Sequence, residues 1–373
     1  MVVPSFSRRR ALGSAAAGVA ALAAAPGFSP ARAEAVPARR QPAPSGTYRI
    51  DLHAHVLPPD YRAALLAHGH FTIGGYPTPT WSPDEAIAFM DYYGIQAQAL
   101  SVSDPGVSFL RGAEANDLAR YCNDYAAQLI RTHPSRFGAF AVLPMPDIAA
   151  SIDEAIHALD TLRLDGVVLL SAYDGVYLGD PRFEPLMIAL NQRRAFVFVH
   201  PAAIPADAKP ELPLPDFMEE FTFDTTRAAT MMMVTGTTQR YPDIRFQLSH
   251  AGGTVPFLSH RISVASQTVL GELWPQDLPK PSILDIQHQI SRFYFDTALS
   301  GFPAAMASVL AVTSRDHIVF GSDWPFSAAT LPQTGDHDPA PGLSEIFDAD
   351  QRMEVERHNP LRQLPRLAEA VNA

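Results

Sequence analysis

Arg49-Ile50-Asp51-Leu52-His53-Ala54-His55-Val56 reads as a short strand that ends in two histidines. Side chains alternate faces along a strand, so His53 and His55 point the same way. Two neutral imidazoles on one rigid face can share a metal such as zinc. The pair alone is weak, because two histidines that merely hydrogen-bond at a strand end give the same pattern. Three later apolar runs repeat the design: Ala195-Phe196-Val197-Phe198-Val199-His200, Ile244-Arg245-Phe246-Gln247-Leu248-Ser249-His250 and Ile318-Val319-Phe320-Gly321-Ser322-Asp323. Five polar groups thus stand at the C-terminal ends of four apolar strands, where a parallel α/β barrel keeps its active site.

Outward from these runs, strand-like and helix-like segments alternate from Tyr48 onward, the pattern of an α/β fold with a parallel sheet. A loop rich in Pro, Gly and aromatics, 58–83, follows the first strand and is placed to cover a metal; a helix over about 84–93 comes next. Strands are expected over 96–103, 137–143 and 166–171, with helices over 112–132, 148–162 and 182–194 between or after them. The fifth strand ends at His200. A Pro-rich segment, 201–216, precedes a helix over about 222–240, and the sixth strand ends at His250. Residues 293–299, holding Asp296, and 318–322 are the seventh and eighth. Eight strands with intervening helices predict a closed (β/α)8, or TIM, barrel over residues 47–373.

Ahead of the barrel, Ser7-Arg8-Arg9-Arg10-Ala11-Leu12 resembles a twin-arginine export signal, followed by an alanine-rich run and an Ala31-Arg32-Ala33 cleavage-type triplet. Residues 1–33 are therefore expected to be a signal peptide and 34–46 a Pro/Ala-rich linker without a core of its own. The predicted location is periplasmic or secreted. The apolar run is too short and too weakly hydrophobic to predict a membrane span.

The 373 residues, 47% hydrophobic and 18% charged, suit one large globular domain plus a tail. A formal charge of -11 argues against nucleic acid as a partner and leaves a small molecule as the expected one. The single cysteine, Cys122, excludes an intrachain disulfide and a cysteine zinc cluster, and reads as a small buried residue on a helix face. A homodimer is the expected assembly.

His53, His55, His200 and Asp323 offer three imidazoles and a carboxylate, a set suited to one divalent first-row ion, zinc first and manganese second, with a position left for water or substrate. His250 could be a fifth ligand. With four ligands already in hand it is expected to be an acid/base or electrostatic group instead, and Ala251-Gly252-Gly253 beside it to leave room for substrate. Asp323 is expected to serve twice, as a ligand and as a catalytic group that passes a proton beside the bound substrate, tuned by a hydrogen bond to His250. The only two lysines, Lys209 and Lys280, lie in Pro-bounded loops. None ends the fourth strand, so a two-metal site bridged by a modified lysine is not expected.

Ile50-Asp51-Leu52-His53-Ala54-His55, Val199-His200-Pro201, Leu248-Ser249-His250-Ala251-Gly252-Gly253 and Phe320-Gly321-Ser322-Asp323-Trp324-Pro325 resemble the amidohydrolase superfamily, in its branch containing aminocarboxymuconate-semialdehyde decarboxylase. The similarity is closer to 6-methylsalicylate decarboxylase-like proteins, through His55-Val56-Leu57-Pro58-Pro59-Asp60-Tyr61, residues 119–127 and Asp224-Thr225-Thr226-Arg227-Ala228-Ala229. This resemblance implies a barrel whose metal is bound by His53, His55, His200 and Asp323 and assisted by His250. It implies non-oxidative decarboxylation of a hydroxybenzoate-type acid more than amide hydrolysis. The chain departs from the aminocarboxymuconate enzymes at Ala86, where those carry an arginine that grips a substrate carboxylate. Arg227 is the expected replacement, since its planar fork suits a carboxylate; an exposed helix arginine is the plainer alternative. Asp296 reads equally as a group behind the ligands or a strand cap, and Arg261 as a surface residue. A mononuclear metal-dependent hydrolase of a lactone, ester or amide is the competing function, and a secreted binding barrel the non-catalytic one.

Overall fold

The apolar runs fold as strands because β-branched and aromatic residues fill both faces of a buried parallel sheet. In the computed structural model, which describes residues 44–205, 208–332 and 337–373, eight of them form one sheet in sequence order. They are β1 (Arg49–His55), β2 (Ile95–Ser101), β3 (Phe137–Ala141), β4 (Gly166–Leu170), β5 (Phe196–His200), β6 (Arg245–Leu248), β7 (Tyr294–Asp296) and β8 (Ile318–Val319). Every neighbouring pair is parallel. The sheet closes just past β8: Leu52 N donates to Phe320 O at 2.9 Å and His55 N to Trp324 O at 2.7 Å. This is the (β/α)8 barrel expected, with helices such as Gly112–Thr132, Glu220–Val234 and Val255–Leu273 on the outside.

Several expected boundaries move. The 58–83 segment is not one loop: it holds a helix, Pro59–Ala67, and a hairpin, Thr72–Ile73 with Tyr76–Pro77. The helix expected over 222–240 runs from Glu220 to Val234 and restarts at Thr237, because Gly236 takes a left-handed turn (φ 78°) between the two pieces. The seventh and eighth strands are shorter than expected, since the chain leaves the ladder to present side chains at the mouth. The signal peptide and most of the linker lie outside the described residues.

Beneath the barrel, at the N-terminal end of β1, Arg49 and Arg352 are buried with Asp338 and Glu356. Arg352 pairs with Asp338 at 2.7 Å and Glu356 at 2.5 Å, and Arg49 reaches Glu356 at 3.0 Å. Each buried charge has its partner, as burial requires, and the cluster ties β1 to the C-terminal helices.

Candidate metal centre and active site

The ends of β1, β5 and β8 converge at the C-terminal mouth. One nitrogen from each of His53, His55 and His200 and one oxygen of Asp323 all lie within 4.8 Å of one another, and all four residues are buried. Two backbone features bring them together. Asp323 has a left-handed backbone (φ 62°) and its N donates to His53 O at 2.6 Å, which turns the carboxylate inward. Gly321 leaves the space that His53 needs, since a Cβ there would sit 2.6 Å from the His53 Cβ.

Each of the three histidines is tied through Nδ1, leaving Nε2 for the centre. His53 Nδ1 meets Asp296 at 2.8 Å, His55 Nδ1 meets the Ser101 hydroxyl at 3.0 Å, and His200 Nδ1 donates to Pro201 O at 2.8 Å. A ligand histidine whose far nitrogen is fixed this way is held in the right tautomer and orientation. His53 Nε2 is buried with no hydrogen-bond partner. An orphaned nitrogen facing a carboxylate and two further imidazoles fits a divalent cation. Burial holds His55 and His200 below the usual histidine range, favouring the neutral rings that bind metals. Burial works the same way on His53, but the Asp296 and Asp323 carboxylates outweigh it and push that ring up to about 10. Burial would raise the Asp323 carboxyl; the His53 ring and the hydrogen bonds of the histidines hold it well below the usual range. The two carboxylates therefore favour positive charge at His53, while His55 and His200 are favoured as neutral donors.

Asp296 proves to be a group behind the ligands. Besides His53 it accepts from Gln247 Nε2 (3.0 Å), His250 N (2.9 Å) and Ala298 N (3.1 Å). Asp51 performs the same service from below and was not singled out from the sequence. It accepts from His53 N, Gln98 Nε2, Ser322 N and the Ser322 hydroxyl at 2.6–3.0 Å, stitching β1 to β2 and to the closing segment. Burial pushes its carboxyl up to about 6 against the pull of those donors.

His250 stands outside the ligand quartet. Its Nε2 lies 3.5 Å from Asp323 Oδ2, long for a hydrogen bond, and its Nδ1 is buried without a partner. It lines a cavity of about 160 Å³ whose floor also includes His200 and Asp323. Ile73, Phe217, Phe221, Leu299 and Phe326 make the walls apolar, while Tyr76, Ser103 and Thr330 add hydroxyls. The 58–83 segment does cover the site, through Ile73 and Tyr76 of the hairpin.

Two expectations come out differently. The glycines after His250 do not open space for a substrate: a Cβ on Gly252 would meet the Phe295 ring at 2.6 Å, and one on Gly253 the Thr222 carbonyl at 2.0 Å. They permit close packing against β7 and the helix Glu220–Val234. Arg227 is exposed on that helix beside Tyr177 and is not among the residues lining the cavity. The helix turns Asp224 inward instead, where it is buried and accepts hydrogen bonds from Ser171, Tyr177 and Ala202 N.

The amidohydrolase family profile matches residues 50–366. Decarboxylase yanB of Aspergillus niger is 39% identical over 296 residues, 75% of this chain and 77% of the relative. A 6-methylsalicylic acid decarboxylase of Penicillium expansum is 36% identical over 282 residues, 74% and 85% of the two chains. Among solved structures, 5-carboxyvanillate decarboxylase of Novosphingobium aromaticivorans, complexed with manganese and 4-hydroxy-3-methoxy-5-nitrobenzoic acid, superposes with a TM-score of 0.69 at 19% identity, over 85% of this chain and 96% of that one. Matching the family from the first strand to the last helices, with its polar groups gathered at one mouth of the barrel, the chain belongs to the amidohydrolase family.

Proposed function

We propose that the protein is a metal-dependent carboxy-lyase that removes carbon dioxide, without oxidation, from a hydroxybenzoate-type acid resembling 6-methylsalicylate. The observation that carries this reading is a four-ligand centre on the floor of a small, apolar-walled cavity, with one further histidine at its side. The curated relatives named above support it. His53, His55, His200 and Asp323 would hold a single divalent ion, zinc or manganese, both suited to three imidazoles and a carboxylate. When bound, such an ion supplies a charge sink and a template for the substrate's carboxylate and phenolic oxygens. Protonated His250, beside the Asp323 carboxylate that stabilises its charge, gives its proton to the ring carbon that carries the carboxylate. The carbon–carbon bond then breaks, carbon dioxide leaves, and the histidine regains a proton from solvent. Apolar walls keep water from competing with that transfer.

Incubating the metal-loaded protein with a panel of hydroxybenzoates is expected to release carbon dioxide and the matching phenol in equal amounts. Turnover of lactones, esters or amides, with none of the acids, would overturn the proposal in favour of a hydrolase.

We also propose that residues 1–33 direct export through the twin-arginine route and that the mature protein is periplasmic or secreted. Replacing Arg8 and Arg9 together by lysine is expected to leave the precursor in the cytoplasm, because the receptor reads the arginine pair; undiminished export would refute it. No helix among the described residues is long and apolar enough to cross a membrane. A homodimer is the proposed assembly, supported by Phe257 and Leu284, 83% and 74% exposed on two helices that pack together.

A further inference from the structure

Two segments far apart in sequence meet over the metal centre. The hairpin Thr72–Ile73/Tyr76–Pro77 supplies Ile73, and the stretch from Asp216 into the helix Glu220–Val234 supplies Phe217 and Phe221. They are fitted closely. Phe217 N donates to Gly74 O at 3.1 Å, and Gly74 (φ 56°) lies so near Phe221 that a Cβ would stand 2.5 Å from the ring. Gly75 (φ 90°) approaches Pro215 as tightly, with 2.6 Å left for a Cβ. Only glycines allow this turn and this contact together. The Phe221 ring in turn lies 6.1 Å from the His200 ring, centroid to centroid.

The space beneath this roof is small, and away from the floor of His200, His250 and Asp323 it carries no cationic side chain among the described residues. Its 160 Å³ is well under the roughly 300–1,000 Å³ of ordinary ligand clefts. No lysine or arginine is among the described residues that line it; Lys209 is paired with Asp216 and Arg227 is exposed on the helix. A carboxylate pressed against Ile73, Phe217 and Phe221 would lose its water without gaining a partner.

We infer that this roof is a filter of size and charge. Ile73, Phe217 and Phe221 admit one aromatic ring that bears a single carboxylate and short apolar substituents, and they turn away a second carboxylate or a long chain. The inference rests on the decarboxylase reading for the choice of acids. The filter itself follows from the walls.

The test is calorimetric binding of salicylate, 6-methylsalicylate, 6-propylsalicylate and 2-hydroxyisophthalate to the metal-loaded protein, with carbon dioxide release followed in parallel. The propyl acid and the diacid are expected to bind at least about tenfold more weakly than the methyl acid, the scale that one or more misplaced methylenes produce. Phe221→Ala should recover the propyl acid by about the same factor while the diacid stays excluded. Ile73→Ala, on the hairpin and clear of the helix, should shift selectivity in the same direction and serves if Phe221→Ala does not fold. A diacid that binds as well as the methyl acid, unchanged selectivity in the variants, or no binding by any acid overturns the filter. The expected binding order without carbon dioxide from any acid leaves the filter standing and removes the decarboxylase reading.

Discussion

Exchanging Asp323 for asparagine is expected to cost the protein its metal, and turnover with it, while the barrel remains folded. The three imidazoles that share the site are neutral ligands, so Asp323 is the only negative charge in the quartet. Without it a divalent ion would sit buried with its charge opposed only from behind, by Asp296. The loss should exceed the roughly ten- to hundredfold that follows removal of an outer group such as Asp296. Asparagine is a cleaner test than alanine because Asp323 has φ 62°. Left-handed backbone costs most L-residues about 1–2 kcal/mol, whereas asparagine tolerates it. Alanine would therefore mix backbone strain with lost ligation. Metal analysis after dialysis should find about one equivalent per wild-type chain, as expected for one site of four protein ligands, and almost none in Asp323→Asn. The melting curve of the variant should match that of metal-stripped wild type. Two tightly held ions in the wild type, or a fully loaded and active variant, would contradict the mononuclear centre.

The candidate site residues were legible because each ends an apolar run. A polar residue at the end of a buried strand sits at the barrel mouth whatever the strand's exact register, so His53, His55, His200, His250 and Asp323 could be placed together from the sequence. The groups that orient them could not. Asp51, Gln98 and Gln247 are polar residues in the interior of their strands, and their pairings, Gln98 with Asp51 and Gln247 with Asp296, appear only once β1 and β2, and β6 and β7, are side by side. Asp296 was visible as a candidate but not as the carboxylate that holds His53. Arg227 shows the converse limit: helical periodicity identifies a face, but not which neighbour that face meets. The glycines after His250 misled for the same reason. An absent side chain can make room for a ligand or for another part of the protein, and only Phe295 and Thr222 decide which.

The same geometry separates His250 from the three histidines it resembles in sequence. In His53, His55 and His200 the Nδ1 side is fastened to an oxygen, which leaves Nε2 facing the centre. His250 has no such fastening: Nδ1 is without a partner and Nε2 stands 3.5 Å from Asp323. A ring whose tautomer nothing fixes is suited to exchanging a proton rather than to holding an ion. Its backbone is set independently of its ring, by the bond from His250 N to Asp296 Oδ1 at 2.9 Å and by φ 53°, which asparagine also tolerates. His250→Asn should therefore fold and keep its equivalent of metal. Its kcat should fall by about a hundredfold or more, the usual scale for a lost acid/base group, with a much smaller change in KM if the proton moves only in the transition state. Metal content and turnover measured on one preparation decide the matter: if the metal leaves with the imidazole, His250 is a ligand after all, and if turnover is undiminished, the proton comes from elsewhere.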